Sequence, residues 1–314
     1  MKQFLSFVLA VSTLAALGLL SSLTHAQQAQ PTQNDSQSSA QLLRRANQAL
    51  LKSPSFQSSV HITNRLFDQV IEAGGFYLHK GQGTGKSRMQ LRFSDAENPI
   101  EVTQICDGRL NYVLTAGGEK RTLEFVDLLQ ISEKDSKNRL ANPVAWMTTG
   151  GLTSLLEHAA KSFDFQPIHE YTAGEDTVIQ VRGTWKKQAL KKFFGDSVNH
   201  TWIDNPLKWH RLPGQLPHVI EFHLKPAQGL ALFPSKINFL QLQEKEGNTK
   251  MVPVISIELS DIQVANNLAD EYFQVNNENV TPIDTTDNFL GRVEEQYSKR
   301  RDRTASESGN ERRR

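Results

Sequence analysis

Three stretches of this chain carry residue types that do chemistry, and each is weakened by its spacing. Gly81-Gln-Gly-Thr-Gly-Lys-Ser87 has the glycines, lysine and hydroxyl of a phosphate-binding loop. Such a loop needs four residues between its first glycine and the Gly-Lys pair, and it must open a helix. Gly81 leaves only three, Lys80 stands where the glycine should be, and the residues from Ser87 to Phe93 alternate as a strand does. A glycine-rich hairpin loop accounts for the same residues. His210, His218, Glu221 and His223 are a possible metal set, with Glu221 and His223 on one strand face at i, i+2. His218 falls on the other parity, and zinc ligands come in tighter pairs. No metal or cofactor is expected. Nucleophilic catalysis has no local signature either, because a Gly-x-Ser-x-Gly elbow is missing. A carboxylate pair assembled only in space is the route left open to a hydrolase.

The third stretch, Lys186-Lys187 and Lys191-Lys192, lies among Trp185, Leu190, Phe193 and Phe194. It reads either as a contact for anionic lipid or as a lid segment with its apolar side packed down and its lysines in water. The stripe is short for stable surface binding, which favours the lid. Cys106 is the only cysteine. It follows Val102 and Ile105, so a buried small hydrophobe is expected and an internal disulfide is impossible.

The elements that would position these residues are mostly strands. Leu42, Leu43, Ala46, Ala49 and Leu50 recur at helical spacing, with Ser38 or Ser39 as the cap and Pro54 as the stop. Strands follow at Phe56 to Leu66, Gly75 to Lys80, Ser87 to Phe93, Ile100 to Ile105 and Leu110 to Leu114, the last two joined at Asp107-Gly108. Helices are expected at Phe125 to Ile131 and Leu152 to Ala160, with Gly150-Gly151 as a hinge. Strands resume at Thr177 to Trp185, Val219 to Leu224, Lys236 to Leu242 and Val254 to Val264, around a loop from Asn205 to Pro217. Short turns between consecutive strands imply an antiparallel sheet with a helical insertion on one face.

The ends differ from the middle. Lys2, the apolar run Phe4 to Leu20 and Thr24-His25-Ala26 form an export signal cleaved after Ala26. A polar leader covers residues 27–39, and the charged tail from 281 to 314 is expected to be disordered. A net charge of +1 gives no general attraction to nucleic acid. A periplasmic or secreted, monomeric domain over residues 40–280 is the expectation.

Several stretches resemble the LolA/LolB-like lipoprotein-carrier family. They are Ser55-Phe56-Gln57 to Asn64, Gly75-Phe76-Tyr77-Leu78, Ile105-Cys-Asp-Gly-Arg-Leu-Asn-Tyr112, and Ile257 to Phe273 with its Asn266-Asn267 turn. The resemblance implies a mainly β (α+β) fold: a curved antiparallel half-barrel with an N-terminal helix and a helical lid. It also implies a non-enzymatic protein holding a lipid or an acylated protein against the concave face. Candidate liners are Met89, Leu91, Phe93, Ile179, Val181, Phe222, Leu224, Ile237 and Phe239. Lys80-Gly81 replaces the Arg-Pro that lipoprotein carriers typically have after the Gly-aromatic strand, so that arginine's role is not transferred. The alternative is an envelope sensor or interaction module on the same fold, regulating a membrane protein partner.

Overall fold

A computed structural model describes residues 33–66, 69–93, 99–134, 143–166, 169–194, 203, 212, 216–245, 248–265, 268–276 and 280–289. The export signal, residues 27–32 of the polar leader, His210 and the last 25 residues lie outside them.

The chain starts with α1 (Gln33–Lys52) and then lays down six strands: β1 (Ser55–Leu66), β2 (Gln69–His79), β3 (Lys86–Phe93), β4 (Ile100–Asp107), β5 (Leu110–Gly117) and β6 (Lys120–Asp127). Helices α2 (Leu128–Lys134) and α3 (Pro143–Ser162) follow. Next come β7 (Phe163–Phe165), β8 (His169–Ala173), β9 (Asp176–Trp185) and α4 (Lys187–Phe194). The final long strands are β10 (Val219–Ala227), β11 (Leu230–Lys245) and β12 (Asn248–Ala265), before a 3-10 turn (Asp270–Phe273) and β13 (Ile283–Asp284).

All the strands join one sheet in the order β13-β6-β5-β4-β3-β2-β1-β12-β11-β10-β9-β7, with β8 on β9. Every pairing is antiparallel except β13 on β6. The sheet is curved and does not close. Register shifts at Gln57/Ser59, at His223/Leu224 and at Phe239/Leu240 put bulges into its central strands. A bulge bends its strand and increases local twist, which curls the sheet.

Side chains alternate between faces, so the register sends Phe56, Val60, Tyr77, Leu91, Val181, Phe222, Ile237 and Ile257 to one side. That side is concave and packs on the helices. Leu43, Ala46 and Leu50 form the buried stripe of α1, and Leu152, Leu155, Leu156 and Ala159 that of α3, all in one cluster with the strand residues. Burying an apolar side chain of this size stabilises by about 1.5–3 kcal/mol, so the helix stripes explain why the concave face is covered.

Several expected boundaries move. Residues 125–127 belong to β6, and the helix begins only at Leu128 because Asp127 caps it. Its Oδ1 accepts from the N–H of Leu129 at 2.9 Å and of Gln130 at 3.2 Å. Ser39 is not the cap of α1, which starts at Gln33; its hydroxyl donates instead to the Gln166 carbonyl at 2.6 Å. The first turn of the expected tail is docked: Ile283 and Asp284 pair with Glu124 and Phe125, and the Asp127 N–H donates to Thr286 Oγ1 at 2.9 Å. None of the helices among the described residues is long and apolar enough to cross a membrane.

Candidate functional site

All nine candidate liners fall on the concave face, because each sits at the same parity as its cross-strand neighbour. Leu91 pairs Gly75, Met89 pairs Tyr77, Val181 pairs Phe222, Ile179 pairs Leu224, and Ile237 pairs Phe222. The structure also separates them into two groups. Val181, Phe222, Leu224, Ile237 and Phe239 are sealed in the core, and Leu91 is nearly so. Met89, Phe93 and Ile179 pack against that core but stay partly open.

The open part centres on the β3–β5 wing, where Val102 continues the apolar surface and Val113 is half-buried. Helix α3 touches β3, β4 and β5 and so lies over this wing. It is broken in the middle: Gly150 is extended, and Gly151 has φ +63 and ψ −152. Only glycine takes that conformation without strain. Beyond the break, the Leu152 N–H donates to the hydroxyl of Tyr77 at 3.4 Å. A Cβ on Gly151 would stand 2.6 Å from the same hydroxyl. The helix is therefore broken at Gly150–Gly151 and tied at the break to the sheet beneath it. The sequence marks Gly150-Gly151 as a helix breaker, and the helix is broken there; the contact with Tyr77, remote in sequence, has no local signal.

Burial controls the polar groups on this face. The Tyr77 phenol is pushed up to about 12, chiefly by burial. His79, its ring tilted 32° against Phe56 at 5.0 Å, is pushed down to about 4 by burial, and its Nε2 has no partner among the described residues. Both groups are neutral at physiological pH, as an apolar site requires. Cys106 is buried and its thiol is likewise raised by desolvation, which makes it inert packing.

The convex face carries a polar cluster that crosses five strands. Glu221 Oε2 accepts from Arg182 Nε at 3.0 Å and Nη2 at 2.6 Å. Its Oε1 accepts from His223 Nε2 at 2.8 Å and Asn238 Nδ2 at 3.0 Å. Tyr171 Oη lies 2.7 Å from His223 Nδ1, and Ser256 donates to Asn238 Oδ1 at 2.7 Å. Burial works to raise the Glu221 carboxyl, but the bonds from His223, Arg182 and Asn238 outweigh it and hold it well below the usual range. Glu221 and His223 share a strand face, as their i, i+2 spacing implies, and bond along that strand, while Arg182 and Asn238 tie Glu221 to the two neighbouring strands. His218 is elsewhere, accepting the Leu242 N–H at 3.1 Å, and among the described residues His, Cys, Asp and Glu form no cluster of three that could hold a metal.

On α4, Leu190 is fully buried in the core cluster, so the segment is packed down as a lid piece would be. Lys186 lies just before it and donates through Nζ to the carbonyls of Ala160 and Lys161, tying down the end of α3.

No family model matches the chain, and no curated protein matches it. Among solved structures, it is similar to a DUF1329 family protein from Desulfovibrio piger at 10% identity and a TM-score of 0.35, with 76% of this chain and 97% of that one covered. It is similar to MucB at 15% identity and a TM-score of 0.39, covering 76% and 63%. A LolA superfamily protein from Nitrosomonas europaea is 12% identical with a TM-score of 0.28, covering 76% and 97%. The chain's own architecture is an unclosed, curved antiparallel sheet with an N-terminal helix and a helical cover.

Proposed function

We propose that the protein is an exported, non-enzymatic carrier that holds the apolar part of a lipid or an acylated protein between the β3–β5 wing and α3. One observation carries this reading. Met89 and Phe93 remain partly open on an apolar face whose other half is sealed in the core, on a strand touched by a helix that is broken at Gly150–Gly151. An apolar surface covered by a hinged element gains a ligand by moving the cover, with no new fold required. The export signal supports a periplasmic or secreted location, where acyl chains need shelter from water.

The test is uptake of a fluorescent fatty-acid probe by the mature chain. Met89→Gln and Phe93→Asn place polar groups in the open wing and should weaken uptake by at least about tenfold, which corresponds to 1.4 kcal/mol. Both positions are partly open, so the fold should survive, as circular dichroism would show. Unchanged uptake by both folded variants would remove the wing from the site.

A further inference from the structure

A second site lies on the opposite, convex face, independent of the apolar wing. A groove of about 480 Å³ is lined by Ser58, Phe76, Leu78, Arg88, Asp261 and Tyr272, among others. Ligand pockets commonly enclose roughly 300–1,000 Å³. The strand register orders the groove. Arg88 pairs Leu78, Leu78 pairs Gln57, and Gln57 pairs Gln263, so one row of side chains crosses β3, β2, β1 and β12. Phe76 and Tyr272 are both exposed, and with Leu78 and Leu268 they make the apolar walls.

One polar group in this groove has unmet hydrogen-bonding capacity. Arg88 Nε is buried and has no partner among the described residues. The rest of the guanidinium makes two long neutral bonds, to the Tyr272 carbonyl and to Gln90 Oε1, each 3.3 Å, and sits 6.0 Å from the Phe76 ring. The neighbouring cations Lys80 and Lys86 are both taken by Asp270 at 2.7 Å. Among the described residues no carboxylate pairs with Arg88. A partly buried cation in that state is costly unless an anion completes it. At the other end of the groove Asp261 is exposed, at a bulge where its φ is +50. Among the described residues it accepts only from Ser260, at 3.1 Å.

The geometry points to a short extended peptide as the occupant, its free carboxylate on Arg88 and its amino end toward Asp261. Three strand spacings separate β3 from β12, or about 14 Å. That is the length of about four extended residues. The charges at the two ends are opposite, as a zwitterionic peptide needs. Gln57 Nε2 donates to Gln263 Oε1 at 2.7 Å, and the remaining donor and acceptor groups of that amide pair meet the peptide's backbone, while Phe76, Leu78 and Tyr272 take an apolar side chain. A simple anionic amphiphile would use Arg88 but would set its tail against Asp261 and the two amides.

The test is a titration of the folded mature chain with a tetrapeptide of three alanines and a terminal phenylalanine, followed through the side-chain amide NMR signals of Gln57 and Gln263. Saturable shifts are expected. Amidating the peptide's carboxyl end should weaken binding at least about tenfold, and acetylating its amino end should weaken it several-fold, since charge-assisted bonds are the strong ones. In Arg88→Gln the amidated and free peptides should bind alike. In Asp261→Asn the acetylated and free peptides should bind alike. Equal binding of free and amidated peptide by the wild-type chain overturns the proposal. So do saturation by octanoate without saturation by the peptide, and the absence of saturable shifts at millimolar peptide.

Discussion

The hydroxyl of Tyr77 on β2 receives the Leu152 N–H at 3.4 Å, immediately after the Gly150–Gly151 break in α3. This contact joins the sheet to the helix that covers the open apolar wing. It ties the point of the helix break to the sheet, next to the buried stripe of Leu152, Leu155 and Leu156.

Tyr77→Phe removes this hydrogen bond while keeping the ring that packs 6.0 Å from Phe56. A typical net hydrogen bond contributes about 1 kcal/mol, so the loss in stability should be of that order. The more telling readout is kinetic. Stopped-flow exchange of a bound apolar probe should become faster, because the lid opens more easily.

Gly151→Ala forces a side chain into φ +63 and against the Tyr77 hydroxyl. Strain of this kind costs roughly 1–3 kcal/mol. The double variant with Tyr77→Phe relieves the clash but leaves the strained backbone. Denaturant unfolding should therefore show partial rescue, and full additivity of the two losses would mean that the residues do not meet.

His79 sets a pH dependence of stability. Its folded value is about 4, against an ordinary 6.5. The folded state resists protonation, so the unfolded chain binds the extra proton between those values. The stabilisation is fully present above pH 6.5 and is lost as pH falls toward 4, by up to about 3 kcal/mol. His79→Phe should flatten that window in unfolding experiments. Loss below pH 4.5 should persist, because Glu221 is held low by its own partners.

Much of this fold was legible because alternation is a local property. Met89, Leu91 and Phe93 alternate with Arg88, Gln90 and Arg92, and the structure puts the two sets on opposite faces. The same holds for Ile179, Val181, Phe222 and Leu224. What sequence hid was long-range. Which liners are sealed and which stay open depends on where α1 and α3 lie, and no local pattern encodes that. The extra length of β2, the short strands β7 and β8, and the docking of Ile283 on β6 come from pairing with distant partners. The bulge at Asp261 could not be read, because a strand's register is fixed by both of its neighbours. For the same reason the convex groove, built from four strands and the Asp270–Phe273 turn, left no signature.

Sealed and open liners should respond differently to truncation. Phe222→Ala, at a position with no exposure, should cost about 3–5 kcal/mol. Met89→Ala should cost much less in stability, because the side chain is already partly open. Thermal unfolding of the two variants, compared with probe affinity, separates the core from the site.

The central claim is that the concave wing holds an apolar ligand. It is tested most directly by purifying the mature chain from its native envelope and analysing an organic extract by mass spectrometry. The account predicts a lipid or acylated peptide in stoichiometric amount, lost from the Met89→Gln and Phe93→Asn variants. An empty extract from folded protein that also takes up no fatty-acid probe would contradict it.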